Sequence, residues 1–358
     1  MSTGLQSDSS LAAQAFNALK ALSVGGVGGA AFWGLSLPLP WMLGAVTFTA
    51  MAVAFGGRPS MPVAVRDVSR PVIGVLAGSA FTPAILTQAA SWWPAIMLIL
   101  SYTLATLVIG FFYYRSVARF DRVTALFASA PGGLSELTLL AADYGADVRG
   151  LVLLHSIRIV LAVLILPLIV VLITGADLSG APSAAQDHGV GGALLDWLIL
   201  IGCGVAGYAL GKLLRLPGGV MIGALVISAI VHIVGLTSFA PPPWLVIVVQ
   251  VVIGSAAGAR FVGTTRTQLL YFAVHGFGFG LCLLAMAAGF AWIGSLVLPQ
   301  PYVALLLAIS PGGIAEMTII TYAIGLETAF VVTCQIIRIF SVHIITPFLA
   351  GFAVVDRR

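Results

Sequence analysis

Charged residues are scarce in this chain of 358 residues, of which only 8% are Asp, Glu, Lys or Arg and 60% are hydrophobic. A soluble domain carries about 25% charged and about 45–50% apolar residues. Too few polar side chains are present to cover a water-soluble globule, and the mean hydropathy is +1.12. The composition excludes soluble enzymes, nucleic-acid binders and disordered scaffolds, and it predicts an all-α integral membrane protein.

Residues with metal-ligand or disulfide spacing are also missing. The three cysteines, Cys203, Cys282 and Cys334, lie in apolar runs without a CxxC pattern, and the five histidines are scattered. A copper or iron oxygenase needs a cluster of His or carboxylate ligands, which the sequence does not provide. A Walker A motif is absent as well. We therefore expect no catalytic residues, no metal and no cofactor, with Na⁺ or H⁺ left open as the coupling ion.

Twelve apolar runs approach the length of about 20 residues that a transmembrane helix needs. The runs lie near residues 17–35, 41–57, 71–88, 92–114, 122–143, 150–174, 193–211, 219–236, 242–259, 268–297, 302–323 and 328–354. Residues 1–16 lack an early basic region and a cleavage site, so we expect a retained tail. The polar linker 175–192 divides the chain into two membrane regions, 17–174 and 193–358.

The two halves resemble each other at an offset of 180 residues. The matching positions include APGGLSELT at 130–138 with SPGGIAEMT at 310–318, HSIR at 155–158 with QIIR at 335–338, and Pro167 with Pro347. Apolar helices often match by chance, but shared Pro, Glu and Arg residues in one register do not arise that way. The sequence therefore predicts an internal repeat.

Basic residues predict that the two repeats are inverted. Basic clusters at 58–70 and 115–122 correspond to the neutral loops 236–243 and 298–301, and the neutral loop 36–40 corresponds to the basic 212–215. A further neutral loop is predicted at 89–91. Because cytoplasmic loops collect Lys and Arg, this alternation indicates opposite orientations of the halves. Both termini are then cytoplasmic, and the linker lies on the opposite side.

The same orientation requires 122–174 and 302–354 each to cross the membrane an odd number of times, although each holds two apolar runs. Pro-Gly-Gly occurs in both stretches and favours a helix break, because proline lacks an N–H and glycine frees the backbone. We expect about ten transmembrane helices plus two re-entrant or broken Pro-Gly-Gly segments. Twelve ordinary spans are the alternative, and which run is re-entrant stays open.

Charged residues in the apolar runs point to a binding site. Glu136 with Glu316, and Arg158 with Arg338, form two repeat-related pairs, and such charges usually pair or line a wet cavity. Half-helix N-termini near the midplane, where two repeats meet, form the site in inverted-repeat transporters. The candidate substrate- or ion-binding residues are Pro131, Gly132, Gly133, Ser135, Glu136, Thr138, His155, Arg158, Pro311, Gly312, Gly313, Glu316, Thr318, Gln335 and Arg338.

Each residue type suggests a role. The glutamates would bind the coupling cation or a proton, and the threonines would supply hydroxyl ligands. The arginines would neutralise the glutamates or meet a substrate carboxylate; structural Glu–Arg ion bridges between helices are the alternative. His155, whose counterpart is Gln335, is either a proton relay or a histidine that hydrogen-bonds within the bundle.

The duplicated APGGLSEL and SPGGIAEM blocks, each followed by HSIR or QIIR, resemble the AbrB family of polytopic bacterial membrane proteins over about residues 20–355. This family also carries the label ammonia monooxygenase, and it is unrelated to the DNA-binding protein of the same name. The resemblance implies a bacterial inner (cytoplasmic) membrane location, a periplasmic linker and an indirect link to regulation of gene expression. It assigns no catalytic residues, and the scattered histidines do not support the oxygenase label.

We therefore expect an ion-coupled secondary transporter of a small polar metabolite, with an organic anion favoured by the arginines. A membrane sensor or scaffold with an indirect role in gene expression is the alternative. An intramembrane enzyme using Glu136 and His155 lacks a nucleophile–base spacing. The expected partners are the substrate and the lipid bilayer, with no nucleic acid; a homo-oligomer stays open.

Overall fold

The fold of the described residues is entirely helical. The structure, a computed structural model, describes the backbone of residues 11–178, 194–214, 218–262 and 266–355. It describes the side chains of the same residues apart from 11–15, 63, 86, 134–136, 266–267, 269 and 352–355. Most of the predicted tail and linker therefore lies outside the described residues.

Fifteen α-helices follow one another in the described ranges. They are α1 (Leu11–Gly34), α2 (Pro40–Ala54), α3 (Val63–Ser79), α4 (Pro83–Ala89), α5 (Trp93–Ser116), α6 (Arg122–Ser129), α7 (Leu134–Asp143), α8 (Val148–Thr174), α9 (Leu194–Leu214), α10 (Gly219–Ile233), α11 (Pro243–Gly258), α12 (Arg266–Val297), α13 (Tyr302–Ile309), α14 (Ile314–Ala323) and α15 (Thr328–Val355). Short 3₁₀ turns cover Ala90–Trp92 and Ala259–Phe261.

Six helical segments among the described residues are long and apolar enough to cross a membrane. They are Pro83–Ser116, Val148–Thr174, Leu194–Leu214, Pro243–Phe261, Leu270–Val297 and Thr328–Gly351. Large apolar side chains also cover the outside of the molecule, as Leu172 and Phe55 illustrate with exposed fractions of 86% and 85%. Exposed apolar patches of this extent suit lipid contact and not water.

The third predicted span is misplaced. A span at 71–88 and a loop at 89–91 were predicted, whereas α3 runs from Val63 to Ser79 and the chain is helical from Pro83 to Ser116. The turn lies at 80–82, where the extended Thr82 precedes Pro83 at the first helical position. Proline suits that position because its missing N–H would have no partner there. Hydropathy could not show this turn, because the residues around it are as apolar as the helices.

The helices form two bundles, each built from both halves of the chain. In the first bundle α1, α2 and α3 pack with α9, α10 and α11; in the second, α5–α8 pack with α12–α15. The two bundles meet where α3 contacts α14 and α15 and where α8 contacts α2 and α11. The contacts of α3 with α14 and α15, and of α8 with α11, therefore join helices of opposite halves.

Glycines bring helices of opposite halves together inside the first bundle. A Cβ atom on Gly74 in α3 would collide with the main-chain carbonyl of Met221 in α10. A Cβ atom on Gly254 in α11 would meet the main-chain carbonyl of Met42 in α2 in the same way. Small residues allow such close approach between helices. Equivalent positions of the two halves thus each pack against the other half.

Both Pro-Gly-Gly segments interrupt a helix. Residues 130–133 separate α6 from α7, and residues 310–313 separate α13 from α14. The helices α6 and α13 have eight residues each. Eight residues span about 12 Å, far less than the roughly 30 Å of a hydrocarbon core. The break in each half therefore falls in the first of the two apolar runs, while α8 and α15 are continuous.

Candidate functional site

A cavity of about 170 Å³ lies between the two bundles, where both helix breaks meet α3 and α11. Its wall consists of Arg66, Ser69, Arg70, Gly218, Met221, Ile253, Ala256 and Arg260 from the first bundle and Gly132, Gly133, Arg158, Ile159, Gly312, Gly313, Ile314, Ala315, Glu316, Arg338 and Ile339 from the second. Pockets for drug-sized ligands measure about 300–1,000 Å³. This cavity therefore suits a small metabolite.

Arg158 holds the first helix break in place. Its guanidinium donates one hydrogen bond to the Ala130 carbonyl at 2.8 Å and another to the Gly132 carbonyl at 3.1 Å. The last carbonyls of a helix have no partner within it and carry partial negative charge. Arg158 therefore satisfies the end of α6 electrostatically and by direct hydrogen bonding.

Arg338 does the same at the second break, with more contacts. It donates to the carbonyls of Ile309 at 2.9 Å, Gly312 at 3.0 Å and Ser310, and to Gln335 Oε1 at 2.6 Å. The side chain is 1% exposed. The sequence analysis offered glutamates or a substrate as partners for these arginines; in the structure their Nη atoms bind main-chain oxygens. The Nε atoms of Arg158 and Arg338 are buried without a hydrogen bond.

Gln335 and His155 occupy equivalent places behind the two breaks. Gln335 donates to the Leu307 carbonyl at 2.6 Å. His155 lies against the carbonyl of Phe127, which is the residue equivalent to Leu307. Both side chains are buried and neither forms part of the cavity wall. The arrangement places them as supports of the breaks.

Glu316 is the carboxylate of the cavity wall among the described side chains. It is the third residue of α14, and its carboxylate lies over Gly313, in the space that a Cβ atom would fill. That position suits a negative charge because the first N–H groups of a helix have no carbonyl partner. Within the described residues, the ion pair that forms is Arg70–Asp67 at 3.5 Å, and no ion bridge joins Glu316 to Arg338.

The side chains of Ser135 and Glu136 lie outside the described residues. Their main chain is in the first turn of α7, as that of Glu316 is in the first turn of α14. Four further predicted residues are buried beside the breaks and do not line the cavity: Pro131, Thr138, Pro311 and Thr318. The Thr318 hydroxyl donates to the Ile314 carbonyl of its own helix at 2.8 Å.

Three charged residues of the wall were not predicted from the sequence as candidates for binding: Arg66, Arg70 and Arg260. Their basic clusters were interpreted only as markers of membrane orientation. The spacing of four residues between Arg66 and Arg70, which places both on one helix face, was the available signal. The Nε atom of Arg66 and the Nε and Nη1 atoms of Arg260 are buried without a hydrogen bond. Among the described residues the wall thus carries five arginines and one carboxylate.

Partly exposed arginines line one side of the cavity. It lies beside the start of α3 and the end of α11, where Arg66, Arg70 and Arg260 are partly exposed. The residues at an offset of 180 from the first-bundle wall are closely packed: Ile73, Leu76, Val246, Val249 and Gln250 are 0–2% exposed. The equivalent space at the opposite ends of α3 and α11 is therefore filled.

A second cavity, of about 420 Å³, lies against α3, α9 and α11. Its wall is apolar apart from Tyr208 and Trp197, and its lining residues include no Asp, Glu, His, Lys or Arg. In the part of the chain that the structure describes, no three His, Cys, Asp or Glu residues lie close enough to hold a metal ion. The chemistry of a polar ligand is thus concentrated in the cavity at the breaks.

Comparison with known proteins covers nearly the whole chain. The model of a family described as "Transition state regulatory protein AbrB" matches residues 41–353, which include the entire cavity wall. "Putative regulator AbrB" of Escherichia coli (strain K12) is 27% identical over 328 residues, covering 90% of this chain and 92% of that protein. "Uncharacterized protein YhjN" of Bacillus subtilis (strain 168) is 29% identical over 299 residues, covering 77% and 75%. No solved structure matches the chain.

Proposed function

This chain belongs to the AbrB family, and from that premise we propose that it is an ion-coupled secondary transporter of a small polar metabolite. The observation that carries the proposal is the cavity at the two helix breaks, lined by partly exposed arginines on one side and packed shut on the other. It lies between two bundles, so a shift of one bundle against the other would move the opening. The proposal assigns the site a role in binding and not in catalysis.

Inverted repeats would allow the opening of the cavity to change sides. Helices α3 and α11 correspond at the offset of 180 residues, and each packs against a helix of the other half. In inverted-repeat transporters, exchange of the two repeats between two conformations opens the site to each side in turn. The buried set Leu76, Val249 and Gln250 would then become the wall of the opposite opening, because these residues correspond to Ala256, Ser69 and Arg70.

The basic residues indicate which side of the membrane the cavity faces. Arg58 precedes α3, Arg66 and Arg70 lie in its first half, and Arg260 lies in the 3₁₀ turn that follows α11. Under the positive-inside rule this side faces the cytoplasm. We assign the structure to a cytoplasm-open state of a protein in the bacterial inner membrane, with both termini cytoplasmic.

Glu316 is the residue that we assign to the coupling cation. It lies on the wall, it has no ion-pair partner among the described residues, and it adjoins the second break. A carboxylate in such a position binds Na⁺ or a proton without disturbing a structural salt bridge. Glu136, at the equivalent place in α7, is the matching residue of the first half.

A membrane sensor is the second candidate function. The matching family and its Escherichia coli relative bear the names of regulators, and a ligand in the same cavity could be reported without crossing the membrane. Any effect on gene expression would then be indirect. The two functions differ in one physical respect, since a transporter exchanges its open and closed sides and a sensor need not.

Two matched cysteine variants test this exchange without knowledge of the substrate. Ser69 lines the cavity, and its counterpart Val249 is 2% exposed. Ser69→Cys and Val249→Cys would be made after replacement of Cys203, Cys282 and Cys334, then labelled with a membrane-impermeant maleimide in vesicles of both orientations. Ala291→Cys, at a fully buried position of α12, is the control that stays unlabelled in folded protein.

A transporter labels Ser69→Cys from the arginine side and Val249→Cys from the opposite side. Labelling of Val249→Cys from the opposite side requires that the packed face opens. If Val249→Cys resists labelling from that side while Ser69→Cys reacts, the bundles do not exchange. That result rejects transport and leaves the sensor.

A further inference from the structure

We propose that Arg66, Arg70 and Arg260 form the recognition site for the oxyanion group of a small organic acid or phosphate ester. The inference rests on the proposed function and specifies its substrate class. None of the three residues has a repeat-related partner of the same charge. The site therefore exists on one side of the protein only.

Positive charge is costly to bury in this cavity. The guanidinium of Arg260 interacts electrostatically with Arg66 and Arg70, which repel it, and with Glu316, which attracts it. Two nitrogens of Arg260 and one of Arg66 are buried without a hydrogen bond. Buried charges are normally paired and hydrogen-bonded, because an unpaired one is costly. An anion in the cavity supplies the missing partner.

A purely structural role does not explain these three arginines. The residues equivalent to Arg66, Arg70 and Arg260 are Val246, Gln250 and Ala80, so the same helix packing works without arginine. Membrane orientation does not require burial either. Arg58, on the same side of the protein, is exposed and serves that purpose in water.

The chemistry of arginine indicates the kind of ligand. Arginine presents a planar fork of N–H donors that matches the oxygens of a carboxylate or a phosphate. Glu316 already occupies the N-terminus of α14, which leaves the arginine group as the place for the ligand's negative charge. Next to it the wall is apolar at Ile253, Ala256 and Ile339. The geometry points to a small anion with one oxyanion head and a short carbon skeleton.

Thermal unfolding of the purified full-length protein tests this assignment. The probes are lactate, succinate and glycerol 3-phosphate, with choline as a cation of similar size. A ligand that binds only the folded state raises the midpoint of unfolding with its concentration. We expect at least one oxyanion probe to stabilise the wild type and choline not to; lactate or succinate against glycerol 3-phosphate separates carboxylate from phosphate ligands.

Arginine variants then show which residues bind the active probe. Arg260→Gln should weaken the binding of the active probe by about tenfold or more, because a charge that pairs with the ligand is lost. Arg58→Gln removes the same charge from the same side and should bind normally. If Arg260→Gln does not fold, Arg66→Gln is the second variant, with the same expected loss.

The inference is overturned if none of the oxyanions stabilises the wild type, or if Arg260→Gln and Arg66→Gln bind as tightly as Arg58→Gln. Stabilisation by choline alone would assign the cavity to cations and overturn it equally. Labelling of Val249→Cys from the opposite side can still succeed in these cases, so transport would stand with another substrate. Oxyanion binding without such labelling would instead support this site in a sensor.

Discussion

Arg158 and Arg338, 180 residues apart, make the same contact in the two halves of the protein. Each reaches back from the long helix that follows its Pro-Gly-Gly turn and donates to the carbonyls of the residues just before and just after the proline. The guanidinium thus neutralises the negative end of the first half-helix. The breaks are held by cations of the protein itself, and the Gly-Gly backbone is left facing the cavity.

Removal of these guanidiniums should destabilise the protein unequally. Arg338 binds three carbonyls and Gln335, whereas Arg158 binds two carbonyls. Breaking a buried, hydrogen-bonded charge arrangement costs about 3–5 kcal/mol. We expect Arg338→Gln to lower the midpoint of thermal unfolding more than Arg158→Gln does. Arg338→Lys should not restore it, because an ammonium cannot match the fork.

Arg58→Gln, which removes an exposed arginine, is the control for loss of charge and should unfold like the wild type. Equal midpoints for Arg338→Gln, Arg158→Gln and this control would contradict a structural role for the two buried arginines. In that case their contacts with the carbonyls would contribute no net stability.

Several features of this structure carry a local signal in the sequence. Proline and glycine change the backbone itself, so residues 130–133 and 310–313 identify the helix breaks directly. The all-helical architecture follows from long apolar runs in the same way. Glu316 and Arg338 stand out because charges are rare in such runs, and the structure places both on one cavity wall.

Other features depend on packing and have no such signal. Carbonyl oxygens are present at every residue, so the sequence suggested glutamates as partners of Arg158 and Arg338 and could not indicate the main chain. In the sequence, Arg66 and Arg260 look like any basic residues at the ends of membrane spans. This pattern is the same whether the side chains face water or a cavity. Only the packing of α3 beside α11 across the two halves brings them together.

Glu316→Gln should change the response of the protein to ions while leaving its stability close to that of the wild type. No ion pair of Glu316 is lost in the described structure, so the variant forfeits the helix-terminus interaction, worth about 1 kcal/mol or less, and the electrostatic attraction to Arg260. The substitution also removes a negative charge from the cavity wall beside the arginines. We therefore expect Glu316→Gln to bind the active oxyanion probe more tightly than the wild type does.

Thermal shift or calorimetry with the active probe at several Na⁺ concentrations measures this effect. Glu316→Gln should lose any response of the wild type to Na⁺. A variant that keeps the full Na⁺ dependence of the wild type would remove Glu316 from the coupling role.

Gly74→Ala and Gly254→Ala should both destabilise the first bundle. In each, the new methyl group meets a main-chain carbonyl of the facing helix, which cannot move aside as a side chain can. Overpacking of this kind costs about 1–3 kcal/mol. Gly202→Ala is the matched control, because nothing lies within 4 Å of its Cβ position in α9. It should be neutral or slightly stabilising in thermal unfolding, since alanine favours a helix over glycine.

The equivalence of His155 and Gln335 favours the hydrogen-bonding role of the histidine over the proton relay. Gln335 binds the Leu307 carbonyl, and His155 lies against the Phe127 carbonyl at the matching place. A glutamine at 155 can reach that carbonyl, so His155→Gln should keep the stability of the wild type to about 1 kcal/mol. His155→Leu leaves the carbonyl unsatisfied and should cost about 1–3 kcal/mol. Because His155 does not line the cavity, probe binding should be unchanged in His155→Gln. Loss of probe binding in a stably folded His155→Gln protein would contradict a purely supporting role for the histidine.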